Sequence, residues 1–421
     1  MKKTLLTICL VWMCFSLSAQ KIIDLSGKWS FSIDRQDNGE KEKWFSHTLN
    51  DFINLPGSMP EKQKGDEVTA KTQWTGSLYD SSYYYNPYME KYRKEGNIKF
   101  PFFLTPDKHY VGAAWYQKEV NIPADWKGER ILLFLERPHI ETTVWVNGQK
   151  TGMQNSLCVP HQYDITHYVR PGKCTITIRV DNRIKEINVG PDSHSITDQT
   201  QGNWNGIVGR ICLQTTPKTY FDDIQIYPEP EQKLARVKVV IKGTGTAKVK
   251  LSAESFNTDK KHIVPAIQQE IKLNKGVTET EMVLPMGNDM LLWDEFHPAL
   301  YKLKAEVTNG KKTEIKEIQF GMRRFEIKGK WFYVNGRKTQ LRGTVENCDF
   351  PLTGYAPMDV ESWERVFRIC RSYGLNHMRF HSFCPPEAAF MAADRVGFYL
   401  QPEGPSWPNH GPKLGLGQPI D

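Results

Sequence analysis

The chain has 421 residues, 39% of them hydrophobic and 24% charged, which places it with soluble globular proteins and sets aside a disordered chain. At roughly 100–200 residues per domain it holds about two to four domains. The formal charge of +7 at pH 7 is spread over charges that alternate in sign, with no clustered basic stripe and no reading module, so a nucleic-acid partner is set aside. Aromatic residues make up 12% of the chain, which fits two readings, β-sheet cores and rings that pack on sugar faces.

The first twenty residues, MKKTLLTICLVWMCFSLSAQ, have a two-lysine start, an apolar run from Leu5 to Leu17 and a Ser18-Ala19 end. This pattern predicts a secretory signal at 1–19, too short to span a membrane, with Gln20 first after cleavage. Cys14 follows Val11-Trp12-Met13 rather than the small residues of a lipoprotein signal, so the expectation is a soluble exported protein, periplasmic or extracellular. Cys158, Cys174, Cys212, Cys348, Cys370 and Cys384 then remain, scattered and without a Cys-x-x-Cys pair, and metal-ligand spacing is absent.

Residues 20–218 read as β-structure. HIETTVWVNGQKTG alternates Ile140, Thr142, Val144 and Val146, then turns at Asn147-Gly148, a hairpin signal. CTITIRVDN alternates Ile176, Ile178 and Val180. Many strands with polar turns and no convincing helix predict a sandwich or jelly roll. The stretch 78–100 is too rich in Tyr, Asn, Pro and charge for a clean strand. Its Tyr83-Tyr84-Tyr85 cluster either reaches over a sugar site or packs on its own domain.

Residues 219–323 form a second β run: RVKVVIKG, AKVKLSAES, QEIKLNK, ALYKLKAEV and TEIKEIQFG. About seven short strands over roughly a hundred residues predict an immunoglobulin-like sandwich. The period changes in 324–421. DVESWERVFRICRSYG places Trp363, Val366, Phe367 and Cys370 at helical spacing, with Asp359 as N-cap and Gly374 as stop. The strand NHMRF, the helix PPEAAFMAADRVG with Pro386 at its first turn, and the strand FYLQPE follow. Alternating β and α elements predict a parallel sheet. A (β/α)8 barrel takes about 250 residues and carries its chemistry at the C-terminal strand ends, and this segment has room for about three of its eight strands. Such a piece would leave one sheet edge open, so the expectation is an incomplete TIM barrel.

The order of these segments resembles the N-terminal part of glycoside hydrolase family 2, the family of β-galactosidases, β-glucuronidases and β-mannosidases. GAAWYQKEVNIPADWKGERILLFLERPHIETTVWVNGQKTG, HQYDITHYV and TITIRVDN are similar to the family's sugar-binding jelly roll. WDEFHPALYKLKAEV and FGMRRFEIKGKWFYVNGRKTQLRGT resemble its immunoglobulin-like domain and the junction with the barrel. The resemblance covers essentially all of 21–421 and implies an exo-acting, retaining glycosidase of the β-galactosidase type acting on an oligosaccharide or polysaccharide. Retention needs two carboxyl groups about 5–5.5 Å apart, one a nucleophile and one an acid/base. In the family the acid/base belongs to an Asn-Glu pair after the fourth barrel strand, and the nucleophile ends the seventh. Both are expected beyond Asp421, so no catalytic residue is assigned here and the 421-residue chain alone is expected to be inactive.

The resemblance assigns an active-site wall. Arg379 matches the arginine at the end of the second barrel strand, which helps position and ionise the nucleophile; the competing reading is an arginine paired with Glu403. His381-Ser382 stands where the family often has Ser-His, and His381 either donates to a sugar hydroxyl or packs as a hydrogen-bonded side chain. Glu346, Asn347 and Asp349 follow the first barrel strand in a loop that departs from the family pattern, which leaves substrate choice open. A catalytic pair made of Glu403 and Asp349 runs against that pattern. Trp407 is a candidate sugar platform or a core residue. His410-Gly411 resembles a metal-binding His-Gly but has Pro408 where a glutamate is needed, so neither metal nor cofactor is expected. No membrane span is expected, and oligomerisation of a full-length form is left open. A non-catalytic carbohydrate-binding protein using the jelly roll is the alternative, and a β-sandwich adhesion protein is a third reading.

Overall fold

The computed structural model describes residues 20–75, 86–99, 101–185, 196–198 and 201–404. The chain is mainly β and divides into successive units. The first contains β1 (Ile22–Asp24), β2 (Gly27–Asp34), β3 (Asp51–Leu55), β4 (Gly57–Ser58), β5 (Asp66–Glu67), β6 (Lys108–His109) and β7 (Ala113–Ile122). It continues with β8 (Arg130–Pro138), β9 (Glu141–Val146), β10 (Gln149–Asn155), β11 (His161–Asp164), β12 (Gly172–Asp181) and β13 (Gly206–Thr216). Two large sheets result, one ordered β1-β13-β8-β11 with β4 added to β13, the other β10-β9-β12-β7-β2-β3, while β5 and β6 pair in a separate two-stranded sheet.

Alternation explains how the sheets meet. Leu133 and Leu135 of β8 and Ile207, Ile211 and Leu213 of β13 share one core with Trp29, Phe31, Tyr116, Val144, Val146, Ile176, Ile178 and Val180 of the second sheet. Burying each large apolar side chain contributes about 1.5–3 kcal/mol, so this layer holds the unit together. Trp145 points the other way and stacks on Trp115 at 5.0 Å and on Phe45 at 5.2 Å, covering the outer face of the six-stranded sheet. The Asn147-Gly148 turn joins β9 to β10 with φ of 51° and 78°, the positive pair that a two-residue hairpin needs.

The second unit has five strands, β14 (Tyr220–Glu229), β15 (Leu234–Phe256), β16 (Ile263–Pro285), β17 (Leu300–Asn309) and β18 (Lys312–Phe320). The segments RVKVVIKG and AKVKLSAES, read as separate short strands, are one continuous 23-residue strand. Its first half pairs with β14 and with the second half of β16; its second half pairs with the first half of β16 and with β17, which pairs β18. Counting halves gives three strands on one side and four on the other. Val237, Val239 and Ile241 from one half share a core with Val249, Leu251, Leu303 and Ala305 from the other. The change of side falls at a bulge between Gly243 and Gly245, opposite Gly276 at φ 99°, where a Cβ would strain the backbone.

A three-stranded meander, β19 (Phe325–Lys328), β20 (Trp331–Val334) and β21 (Arg337–Thr339), leads into the third unit. There β22 (Gly343–Glu346), α1 (Val360–Ser372), β23 (His377–Phe380), α2 (Glu387–Val396) and β24 (Tyr399–Gln401) follow in turn, and the three strands are parallel in the order β22-β23-β24. Asp359 caps α1 by accepting from the Ser362 N–H at 2.8 Å, and Gly374 at φ 79° follows its end. Pro386 occupies the N-cap of α2, one position outside the helix. Trp363 and Phe367 of α1 and Ala389, Ala392 and Ala393 of α2 bury one face of the sheet through Met378 and Phe380. Among the described residues no helix is long and apolar enough to cross a membrane.

Candidate functional site

Strand register decides which side chains share the open face of the small parallel sheet. Val345 lies beside Arg379, and Arg379 beside Gln401. Side chains alternate along a strand, so Met378 and Phe380 go under the helices while His377 and Arg379 take the opposite face. Two residues beyond, the same parity falls on Asn347, His381 and Glu403. The β22–β23 pairing continues past the strand ends, since the His381 N–H donates to the Glu346 carbonyl at 2.8 Å, while the Glu403 N–H leaves the register of β24 and donates to the Phe383 carbonyl at 3.3 Å.

These four residues come together. The Arg379 Nε donates to the Glu403 carboxylate at 2.5 Å, with side-chain exposures of 42% and 22%. His381 Nδ1 lies 3.3 Å from Asn347 Oδ1. Burial works to raise the Glu403 carboxyl, but the bond and the charge of Arg379 outweigh it and hold the group below the usual carboxylate range. A carboxylate held ionised this way accepts hydrogen bonds and anchors the guanidinium; it is unsuited to be a general acid near neutrality. The partly exposed pair itself contributes at most about 1 kcal/mol of stability. Its use is to fix a planar donor group at the strand end, with one of five N–H donors engaged by Glu403.

Glu346 and Asp349 lie elsewhere. Glu346 has the parity of Phe380 and accepts from the Cys348 N–H at 2.8 Å, and burial raises its carboxyl. Asp349, also raised by burial, lines a cavity of about 1040 Å³ shared by Arg210, Glu136 and Phe134 of the first unit and the loop around Leu352 and Tyr355. Asp349 therefore faces the first unit rather than Glu403. Trp407 and His410, like the Tyr83–Tyr85 cluster and the signal segment, lie outside the described residues. Among the described residues no group of three or more His, Cys, Asp or Glu is placed to hold a metal ion.

Residues that the sequence reading passed over hold the strand ends against the neighbouring units. Gln201, 4% exposed, donates from the first unit to the His381 carbonyl at 2.8 Å. Arg137 forks to the carbonyls of Cys384 at 3.0 Å and Cys158 at 3.2 Å. Tyr355 donates to Glu61 at 3.0 Å. On the side of the second unit, Trp293 Nε1 donates to the Asp394 carbonyl at 2.7 Å, and Arg371 Nη1 bridges the carbonyls of Glu295 at 2.7 Å and Gly397 at 2.8 Å. Arg137 sits in β8 and Arg371 in α1, and no local sequence signal marks the distant carbonyls they reach.

Comparison with known proteins completes the picture. Residues 22–217 match the sugar binding domain of the glycosyl hydrolases family 2, and residues 219–323 match a second domain model of the same family, so together they cover well over half of the chain. The chain belongs to glycoside hydrolase family 2. Relatives within the family include a β-galactosidase of Thermoanaerobacter pseudethanolicus, 24% identical over 334 residues, covering 75% of this chain and 42% of that protein. A β-glucuronidase of Homo sapiens is 24% identical over 417 residues, covering 91% of this chain and 57% of that one. A β-glucuronidase of Ruminococcus gnavus, solved in complex with D-glucaro-δ-lactam, superposes with a TM-score of 0.67 at 20% identity, covering 92% of this chain and 60% of its own. The family 2 chain thus spans about half the length of the curated relatives it matches.

Proposed function

We propose that this family 2 chain serves an exported, exo-acting, retaining glycosidase that removes terminal β-linked sugars from oligosaccharides or polysaccharides. The observation that carries the reading is the convergence of Arg379, Glu403, His381 and Asn347 on one face at the C-terminal ends of three parallel strands. In an α/β barrel this is the rim where chemistry is done. The three strands act as the start of a TIM barrel. Arg379, oriented by Glu403, lies against the nucleophile, and His381 and Asn347 present donors and acceptors to sugar hydroxyls. The acid/base and the nucleophile come from barrel strands beyond Asp421, so the 421-residue chain holds the wall of the site and does not hydrolyse by itself. β-Galactosides are the first substrates to assay and β-glucuronides the second, following the names of the relatives. The test is hydrolysis of 4-nitrophenyl β-glycosides by the protein made from the uninterrupted natural reading frame, with the product anomer followed by NMR. Retained β-configuration is expected; inversion, or no turnover of any β-glycoside, refutes the reading.

A second reading rests on the first unit. A cavity of about 600 Å³ lined by Trp74, Tyr110, His109 and Asn203 combines rings and polar groups as a sugar site does. In that reading the chain binds glycans without cleaving them, and retention on an immobilised glycan by the 421-residue chain is its test.

A further inference from the structure

The contact between the first and third units gathers three free thiols. Cys158 lies in the loop after β10, Cys384 in the loop before α2, and Cys348 in the loop after β22. All three line one small cavity of about 50 Å³. Two of them are also tied by backbone. The terminal nitrogens of Arg137, fixed side by side in one guanidinium, take the Cys384 carbonyl at 3.0 Å and the Cys158 carbonyl at 3.2 Å, and one of them also reaches the Pro385 carbonyl at 3.4 Å. Cys348 has no such tie. It is held at φ 63° on its own loop, where its N–H serves Glu346.

We propose that Cys158 and Cys384 form a disulfide that locks the jelly roll onto the strand-end site. The link would close a loop running from 158 to 384, and long closed loops restrict the unfolded chain most. It would also hold the peptide segment between His381 and Pro385 against the first unit, the segment that Gln201 already grips through the His381 carbonyl. The oxidant is a small disulfide. One cysteine thiolate attacks it, forming a mixed disulfide and expelling one thiolate; the second cysteine thiolate then attacks the mixed disulfide and expels the other. Two protons leave the cysteines and two reduced small thiols are released. Burial raises both thiols, against the Arg137 charge and, at Cys158, the Cys384 amide, so the reaction is fastest in alkaline solution.

The test is oxidised glutathione added to the 421-residue protein, followed by peptide mapping without reduction. The expected product is the Cys158 peptide joined to the Cys384 peptide, two hydrogen masses lighter than the free pair, retained in Cys348→Ser and absent in Cys158→Ser. The thermal midpoint of the oxidised protein should exceed that of the reduced one, and the pairing should lose its selectivity in concentrated urea. Free thiols, glutathione adducts alone, or a link that includes Cys348 would overturn the proposal.

Discussion

Replacing Asp181 by Asn tests whether the charged cluster at the edge of the first unit is as interdependent as its geometry implies. Asp181 is 0% exposed and accepts from Arg183 Nε at 2.9 Å and Nη2 at 2.6 Å, with Arg179 at 3.2 Å and Lys185 at 3.1 Å. Asp37 and Glu141 complete the group, so three cations face three anions. Asparagine keeps the shape and removes one anion, leaving Arg179, 9% exposed, in a cluster of net positive charge. Removing one partner from a buried ion pair costs about 3–5 kcal/mol, and because Arg183 and Lys185 are partly exposed the low end, about 3 kcal/mol, applies. At about 1.4 kcal/mol per tenfold, amides in β12 and β7 should exchange with deuterium roughly 100-fold faster in the variant. Hydrogen-exchange mass spectrometry resolves this, with β15 and β17 of the second unit as internal controls. The sign with pH follows from the same contacts. Burial works against ionisation, but Arg183 and its neighbours hold the Asp181 carboxyl well below its usual value. Its contribution is therefore full above the unfolded pKa of about 3.9 and is lost as pH falls through the folded value. A change of less than about threefold in β12 exchange at neutral pH, some 0.7 kcal/mol, would refute the interdependence.

Three further outcomes are expected. Burial lowers the His139 imidazole to about 3 and the His161 imidazole to about 4, so each stabilises the fold above about pH 6.5 and loses that contribution as pH falls towards its folded value; the thermal midpoint should drop between pH 7 and pH 5, and His161→Gln should flatten the profile. Phe367→Ala removes a fully buried ring that stacks on Phe398 at 4.8 Å and Trp363 at 5.7 Å, and should cost about 3–5 kcal/mol in urea unfolding of the third unit; a loss under about 1 kcal/mol would contradict this packing. Gly397→Ala puts a Cβ 2.6 Å from the Glu295 carbonyl at a residue with φ 78°, so exchange protection should fall in α2 and in the 293–297 loop together; loss in α2 alone would count against that docking.

Much of this architecture is legible in the sequence because it is local. Ile176, Ile178 and Val180 announce a strand with one buried face, Asn147-Gly148 announces its hairpin, and Asp359 marks the start of α1. Gly243-Thr244-Gly245 reads as a turn and is a bulge inside a continuous strand, since nothing local tells a bend that keeps its partners from one that ends the strand. Asp349 and Glu403 both follow strands of the same small sheet, and plain alternation past β22 would put Asp349 on the face of Arg379. Cys348 adopts a left-handed conformation at φ 63°, which breaks the alternation and sends Asp349 to the cavity against the first unit. Nothing local marks the cross-unit bonds of Gln201 and Arg137, because the His381 and Cys384 carbonyls they reach lie 180 and 247 residues away, at positions fixed only when the units close on one another. Arg379 and Glu403 are visible as charged residues at predicted strand ends, and their ion pair, the competing reading of Arg379, is present in the structure; which of the two readings holds depends on register, which the sequence carries only weakly.

The most direct measurement compares two proteins on the same 4-nitrophenyl β-galactoside and β-glucuronide: the 421-residue chain and the product of the full natural reading frame. The account predicts turnover by the longer protein alone, with retained configuration and with kcat lowered at least tenfold by Arg379→Met, about 1.4 kcal/mol of lost transition-state stabilisation. Hydrolysis by the 421-residue chain at a comparable rate would contradict it, because the catalytic pair would then lie within those 421 residues.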